Sequence, residues 1–397
     1  MGFLLALLLT LLPAPRAEEV RWYALPNVGV DTDDGLGFGA RFELQRLSEG
    51  FDPYRSSLVV QAYASLRGYH HHRVRYDRVG LGPAGRVRWT TFVAWRQWSN
   101  DGYWGIGARA PRELAYAGTY DRDDPRRKRY RYALIQPFAQ STVRVRLDGP
   151  WRLYGSFTPR YSVVRTYADS LLAEQQPFGM DGGLTLQLSA GVLYDTRAPE
   201  IGPRQGVLLE ASGRWAPPHP LSAGHFGGVF LSARQFLSLG PRAVFAWRLM
   251  GEMLWGQVPF YEMVHWGGFE PIQGYGGWQT LRGIKFGRFR APGKAVGNAE
   301  LRLDTVTHSL LKKPAVWQLV PYLDVGRVFA AGEQATAPPP QGLGLDSAAG
   351  VGVRLVFDEV FVGRVDMGFG RDPVQLADGQ LAEEATLGFY LVFDHTF

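Results

Sequence analysis

Three stretches of the 397-residue sequence carry residue types in spacings that suggest chemistry: His70-His71-His72, the basic run Arg126-Arg127-Lys128-Arg129 beside Asp121, Asp123 and Asp124, and the long segment from Val258 to Lys294, which holds Gly276, Gly277, Leu281, Arg282 and Gly283. Three consecutive histidines in a strand point to opposite faces and do not converge on one metal ion, so they read as a solvated hairpin tip. The basic run, interleaved with acids, reads as a solvated loop. With 0 Cys, thiol nucleophiles, disulfides, thiolate metal sites and lipoprotein acylation are all excluded. The sequence holds no G-x-S-x-G, H-E-x-x-H or Walker loop, and its Ser, His and Asp residues select no triad. The expectation is therefore no enzyme, no metal site and no cofactor.

The elements that would position the remaining residues follow from the chain's periodicity. Met1 to Leu12 is an apolar run followed by Pro13, Ala14, Pro15, Arg16 and Ala17, so residues 1–17 read as a signal peptide and Glu18 and Glu19 as the start of the mature chain. Beyond residue 17 no stretch approaches the ~18 apolar residues of a membrane-spanning helix, but a transmembrane barrel needs only about 9 to 11 residues per strand and alternates its faces. Such alternation is present: Leu387, Phe389, Leu391, Phe393 and Phe397 oppose Thr386, Gly388, Asp394 and Thr396, Phe361, Val365, Met367 and Phe369 oppose Arg364 and Asp366, and Ala299, Leu301 and Leu303 oppose Asn298, Glu300, Arg302 and Asp304. The 49 Gly and the abundance of aromatics (Trp 12, Tyr 18, Phe 23) match glycine-rich strands and aromatic girdles. The net charge of +6 comes from basic residues that alternate with apolar ones, which fits an arginine-lined lumen and argues against nucleic acid as a partner.

The spacing predicts an all-β fold for residues 18–397, a transmembrane antiparallel β-barrel of 16 strands. They are expected near 21–31, 35–46, 56–67, 71–80, 86–98, 130–145, 151–166, 183–196, 206–216, 225–238, 242–256, 295–306, 319–330, 347–357, 360–370 and 385–397. Connections alternate in length: Gly82–Gly85, Asp148–Pro150, Gly240–Pro241 and Asp358–Glu359 are short and periplasmic in this reading, whereas 99–129, 167–182, 257–294 and 331–346 are long.

At Leu281-Arg282-Gly283-Ile284 the sequence resembles the bacterial surface antigen superfamily, the BamA/TamA-type outer-membrane barrels. Further matches are Tyr194-Asp195-Thr196-Arg197 with Pro203, Arg204 and Gly206, Gly35-Leu36-Gly37-Phe38-Gly39-Ala40, Tyr103-Trp104-Gly105-Ile106-Gly107, Tyr322-Leu323-Asp324-Val325-Gly326, and the terminal Phe397. Ile284 departs from the aromatic residue usual after that family's Arg-Gly. The resemblance implies that the loop folds into the lumen, that Arg282 and Gly283 form a lock with Asp324 beside Tyr322 and with Glu300, and that Phe397 is an assembly signal. Strand parity independently turns Asp324 and Glu300 inward. A loop of this length carries a large ordering cost, and a guanidinium fork on carboxylates, at about 1.5 to 3 kcal/mol per charge-assisted bond, suits the task of pinning it. The chain has no space for the periplasmic POTRA modules of the best-known members, so it reads as a short member of the group.

What the resemblance implies is a barrel in the outer membrane of a Gram-negative bacterium that assists insertion or translocation of proteins. The alternatives are a passive channel for small solutes and a structural or lipid-binding barrel. The corresponding partners are outer-membrane lipids including lipopolysaccharide, client outer-membrane proteins, and a second copy of the chain.

Overall fold

The computed structural model describes residues 19–51, 53–114, 128–197, 202–270, 272–310, 313–329, 332–336, 343–357 and 361–393. The expected signal peptide, Arg126, Arg127 and Phe397 lie outside these residues.

Sixteen antiparallel strands close into a barrel: β1 (Glu19–Asp31), β2 (Gly35–Leu47), β3 (Ser56–Ser65), β4 (Tyr69–Leu81), β5 (Val87–Gly102), β6 (Arg131–Arg146), β7 (Trp151–Thr166), β8 (Gly183–Asp195), β9 (Gly206–Ala216), β10 (Phe226–Gly240), β11 (Ala243–Gly256), β12 (Gly293–Leu310), β13 (Lys313–Phe329), β14 (Asp346–Phe357), β15 (Phe361–Gln375) and β16 (Leu381–Phe393). Each pairs with its sequence neighbours, and β1 meets β16 to complete the ring. A two-residue strand, Arg112–Glu113, pairs in parallel with Val374 and Gln375 of β15 from inside the loop after β5.

The burial pattern is inside out. Trp22, Phe38, Val93, Leu231 and Phe369 are more than half exposed on the outer wall, as a strand face turned to hydrocarbon requires. Conversely, the largest fully buried side chains include seven arginines: Arg96, Arg248, Arg282, Arg288, Arg290, Arg354 and Arg364. A charge is tolerated in such a place only when it is paired and hydrogen-bonded, so the lumen must be organised as a network.

Several boundaries differ from the sequence expectation. β12 and β13 run on to Leu310 and back from Lys313, and β15 and β16 to Gln375 and from Leu381. These strand ends leave the hydrocarbon zone, so their alternation weakens although the ladder continues; a register shift between Asp304 and Val306 marks the change. Connection length also fails as a guide to the side of the membrane: 32–34 and 66–68 are tight turns on the same end as the long loops. The histidines are not at a tip. They occupy the start of β4, with the turn at 66–68 before them, and the rings of His70 and His72 stand 6.0 Å apart on one face. No cluster of metal-ligand side chains occurs among the described residues. Of the basic run, Lys128 donates to Asn100 Oδ1 at 2.8 Å and Arg129 pairs with Glu174 at 2.5 Å, so this part is anchored as well as solvated.

Candidate functional site: the lumen plug and the seam

The connection from β11 to β12 does not extend into solvent. Residues 257–270 and 272–292 turn into the barrel and bury Phe260, Tyr261, Trp266, Tyr275, Leu281, Ile284 and Phe289, which form two apolar clusters with inward-facing wall residues such as Tyr132, Phe230, Met250 and Val328. The plug thus brings its own small core to a polar lumen.

At its tip, Arg282 is fully buried. Its backbone N–H and its Nε donate to Asp324 Oδ2 at 3.0 and 2.9 Å, Nη2 donates to Asp324 Oδ1 at 2.9 Å, and Nη1 donates to Glu300 Oε1 at 2.8 Å. The guanidinium also lies 3.4 Å from the centroid of the Tyr322 ring. Burial by itself favours loss of the proton, but Asp324 and Glu300 hold the guanidinium charged, well above its ordinary value. The arrangement extends beyond the residues the sequence singled out. Asp366 on β15 stands 3.5 Å from Arg282 Nη1, Glu300 also accepts from Arg354 and Arg302, and Asn298 donates to Asp324 at 2.7 Å. The sequence did place Asp366 and Arg364 on one polar face of a strand, but nothing in their spacing tied that face to a loop more than eighty residues away.

Gly283 has φ of +122°, and a Cβ there would meet the backbone of Phe369 and Gly370. The close approach is reciprocal. A Cβ on Gly368 would stand 2.1 Å from the Arg282 carbonyl oxygen, and one on Gly388 2.7 Å from the Gly283 nitrogen. Gly350 and Gly368 likewise leave room for the Tyr322 hydroxyl, 2.6 Å from either imaginary Cβ. The plug tip therefore rests on a shelf of wall glycines that side chains would fill. A glycine in a strand announces close approach without saying of what, so this shelf was not readable in advance.

From the shelf the tip reaches β16: Thr386 Oγ1 donates to the Gly283 carbonyl at 2.5 Å, and Tyr390 Oη to that of Ile284 at 3.5 Å. The loop after β5 holds the same region from above. Arg109 pairs with Asp346 at 2.7 Å and with Glu383, and Arg112 pairs with Asp372 at 2.7 Å and with Glu384. Arg288 of the plug shares Asp372 at 2.6 Å.

Farther down, His265 is buried among cations. Its Nε2 lies 3.0 Å from Arg96 Nη2, and its carbonyl accepts from Arg214 and Lys294. Burial first, then Arg160, Arg96, Arg214 and Lys294, push the imidazole well below its usual value and keep it neutral.

The wall itself is uneven at one place. Among the described residues, β1 and β16 share two register positions, Val30 with Leu391 and Asp31 with Tyr390, plus a hydrogen bond from Thr32 N to Phe389 O at 3.1 Å. β1 pairs with β2 along its entire length, Glu19 to Asp31. Among the described residues, Leu381 to Gly388 of β16 have no strand partner on the β1 side.

A sixteen-stranded barrel with an inward loop carrying Arg-Gly, an acidic wall to receive it and a short closing seam is a distinctive set, and the model of the Omp85 superfamily domain matches residues 114–397. This chain belongs to the Omp85 superfamily. With the structural neighbours that follow, this places the protein in the outer membrane of a Gram-negative bacterium. Similar solved structures are BamA from Haemophilus ducreyi lacking POTRA domains 1-3 (14% identity, TM-score 0.58, covering 95% of this chain and 70% of that one), CdiB from Escherichia coli (13%, 0.58, 96% and 63%) and CdiB from Acinetobacter baumannii (13%, 0.52, 94% and 59%). At these identities the likeness is one of fold, and this Omp85 barrel spans less than two thirds of the length of either CdiB chain. A search of curated proteins finds no match.

Proposed function

We propose that the protein assists insertion or translocation of other proteins at the outer membrane, acting through the seam between β1 and β16, with Arg282, Gly283, Asp324, Glu300 and Tyr322 serving as a lock that seats the plug. The observation that carries this reading is the seam: among the described residues, two register positions there, against thirteen between β1 and β2. A sheet edge with unpaired N–H and C=O groups is a template for another strand, and Leu381 to Gly388 offers one. The plug speaks against a passive solute channel, since residues 257–292 occupy the lumen that such a channel would need.

The native chain has 0 Cys, so the variant Val30→Cys/Leu391→Cys introduces a unique pair across the seam. We expect depletion of the protein to remove a defined set of barrels or surface proteins from the outer-membrane proteome. The reduced variant should restore that set and the oxidised variant should not. Equal restoration by both forms would exclude the seam, and an unchanged proteome after depletion would exclude the assembly role.

A further inference from the structure

The turn end of the barrel holds a cavity that neither the plug cluster nor the seam uses. It measures about 380 Å³ and is lined by Phe51, Val79, Arg146, Arg152, Asp195 and Arg197. The one acid among its described lining residues, Asp195, is already engaged: Arg197 donates to it from N, Nε and Nη2 at 3.0 to 3.1 Å, and Arg152 pairs with it at 2.9 Å. Arg146, opposite Arg152 in the β6–β7 ladder, is exposed and has no ion pair among the described residues. Three guanidinium groups against one carboxylate leave a strongly positive mouth whose low-dielectric walls focus the field.

The plug shows what such a mouth accepts. Its lowest part carries Phe269 and Glu270; the Arg144 guanidinium lies 5.1 Å from the centre of the Phe269 ring, and Glu270 pairs with Arg234 at 3.2 Å while about half of its side chain stays exposed. Burial raises the Glu270 carboxyl, yet Arg234, Arg197, Arg144 and Arg75 together hold it below its ordinary value. Arg197, which lines the cavity, is also among the cations whose charge favours the ionised Glu270. Arg75, exposed on the inner face of β4, adds a further cation without an ion pair among the described residues.

We propose that this arginine-lined mouth binds acidic segments of polypeptide entering the lumen at this end of the barrel, and that Glu270 is the chain's own stand-in for their carboxylates. Two observations select a peptide over a lipid: Arg75, Arg146 and Arg152 face the lumen and not the outer wall, and the carboxylate already present there is carried by an irregular stretch of chain. The mouth accounts for Tyr194-Asp195-Thr196-Arg197 as the element that shapes it. The inference goes beyond the seam reading, because recognition here precedes any event at β1 and β16.

The test is fluorescence anisotropy of fluorescein-labelled hexaglutamate with the full chain in detergent, against hexaglutamine and inorganic phosphate. We expect saturable binding of hexaglutamate that weakens as salt is raised. Arg75→Gln/Arg146→Gln should raise Kd about tenfold or more with an unchanged melting temperature, and Glu270→Gln, which frees Arg234 and its neighbours, should tighten binding about threefold or more. Absence of binding, equal binding of hexaglutamine, or a double variant that binds like the parent would overturn the proposal. Displacement by phosphate at the same concentration as by unlabelled hexaglutamate would assign a simple oxyanion site and overturn the peptide assignment. Seam-oxidised Val30→Cys/Leu391→Cys should bind normally, so this proposal and the seam reading stand or fall separately.

Discussion

Two neighbouring stretches of the barrel wall are held in opposite ways. From β12 to β15 the wall is fastened from inside by Arg282, Arg302, Arg354 and Arg364 against Glu300, Asp324 and Asp366, all fully buried or nearly so. One strand farther on, the ring closes, among the described residues, through two register positions. The difference lies in what breaking each would expose. Separating β1 from β16 uncovers a few backbone groups at an edge, whereas removing a member of the arginine cluster strands uncompensated charge in the lumen. A buried pair contributes little to net stability relative to an apolar replacement, but breaking it is costly. The cluster is therefore a device of position: it decides where the plug sits more than how stable the barrel is.

The contrast is most directly broken by Arg282→Ala, which leaves Asp324 and Glu300 facing each other's charge without their shared cation. We expect a barrel that still inserts but loses about 3–5 kcal/mol, seen as a lower temperature for loss of heat-modifiable mobility on gels and as new protease cleavage within 257–292. An unchanged profile would mean that the plug is held by its apolar cluster alone. Next in size is the glycine shelf. Gly368→Ala should cost about 1–3 kcal/mol through overpacking against the Arg282 carbonyl. Gly251→Ala, where a Cβ meets nothing within 4 Å, should stay within about 0.5 kcal/mol; equal effects in chemical denaturation would dissolve the shelf. Val30→Pro, which removes one backbone donor from the seam, should cost no more than about 1.5 kcal/mol. A loss as large as that of Arg282→Ala would make the seam a structural joint and erase the difference between the two regions.

A pH dependence is expected as well. His265 has a folded pKa below the ~6.5 of an unfolded histidine, so below that pH the unfolded chain takes up a proton that the folded chain does not. Stability contributed by neutral His265 is complete above pH 6.5 and declines as pH falls, by at most about 1.4 kcal/mol per pH unit. Subtracting the melting curve of His265→Gln from that of the parent between pH 7 and 5 isolates this slope; parallel curves would show that the imidazole is protonated in the fold.

Much of this architecture was legible because a barrel strand announces itself by parity. Alternation around Glu300 and Asp324 was enough to put both on the lumen side, and the all-β, sixteen-stranded closure followed from counting such stretches. Where parity lapses, reading failed. The ends of β12, β13, β15 and β16 were cut short because residues such as Thr305 to Leu310 no longer separate two solvents. Arg109 and Arg112 passed unnoticed because their partners, Asp346, Asp372, Glu383 and Glu384, are brought near only by the closure of the ring. The same holds for the basic mouth, whose arginines come from β4, β6, β7 and the connection after β8.

The hydrogen bond from Thr386 to the plug tip, together with the pairs of Glu383 and Glu384 with the loop above, makes these loops in effect ligands of β16 supplied by its own chain. Linkage then works in both directions. Whatever draws the plug off its glycine shelf loosens β16, and whatever peels β16 from its neighbours lowers the hold on the plug by the same free energy. A ligand that draws Glu270 out of the basic mouth is thereby linked to the hold on β16 at the plug tip.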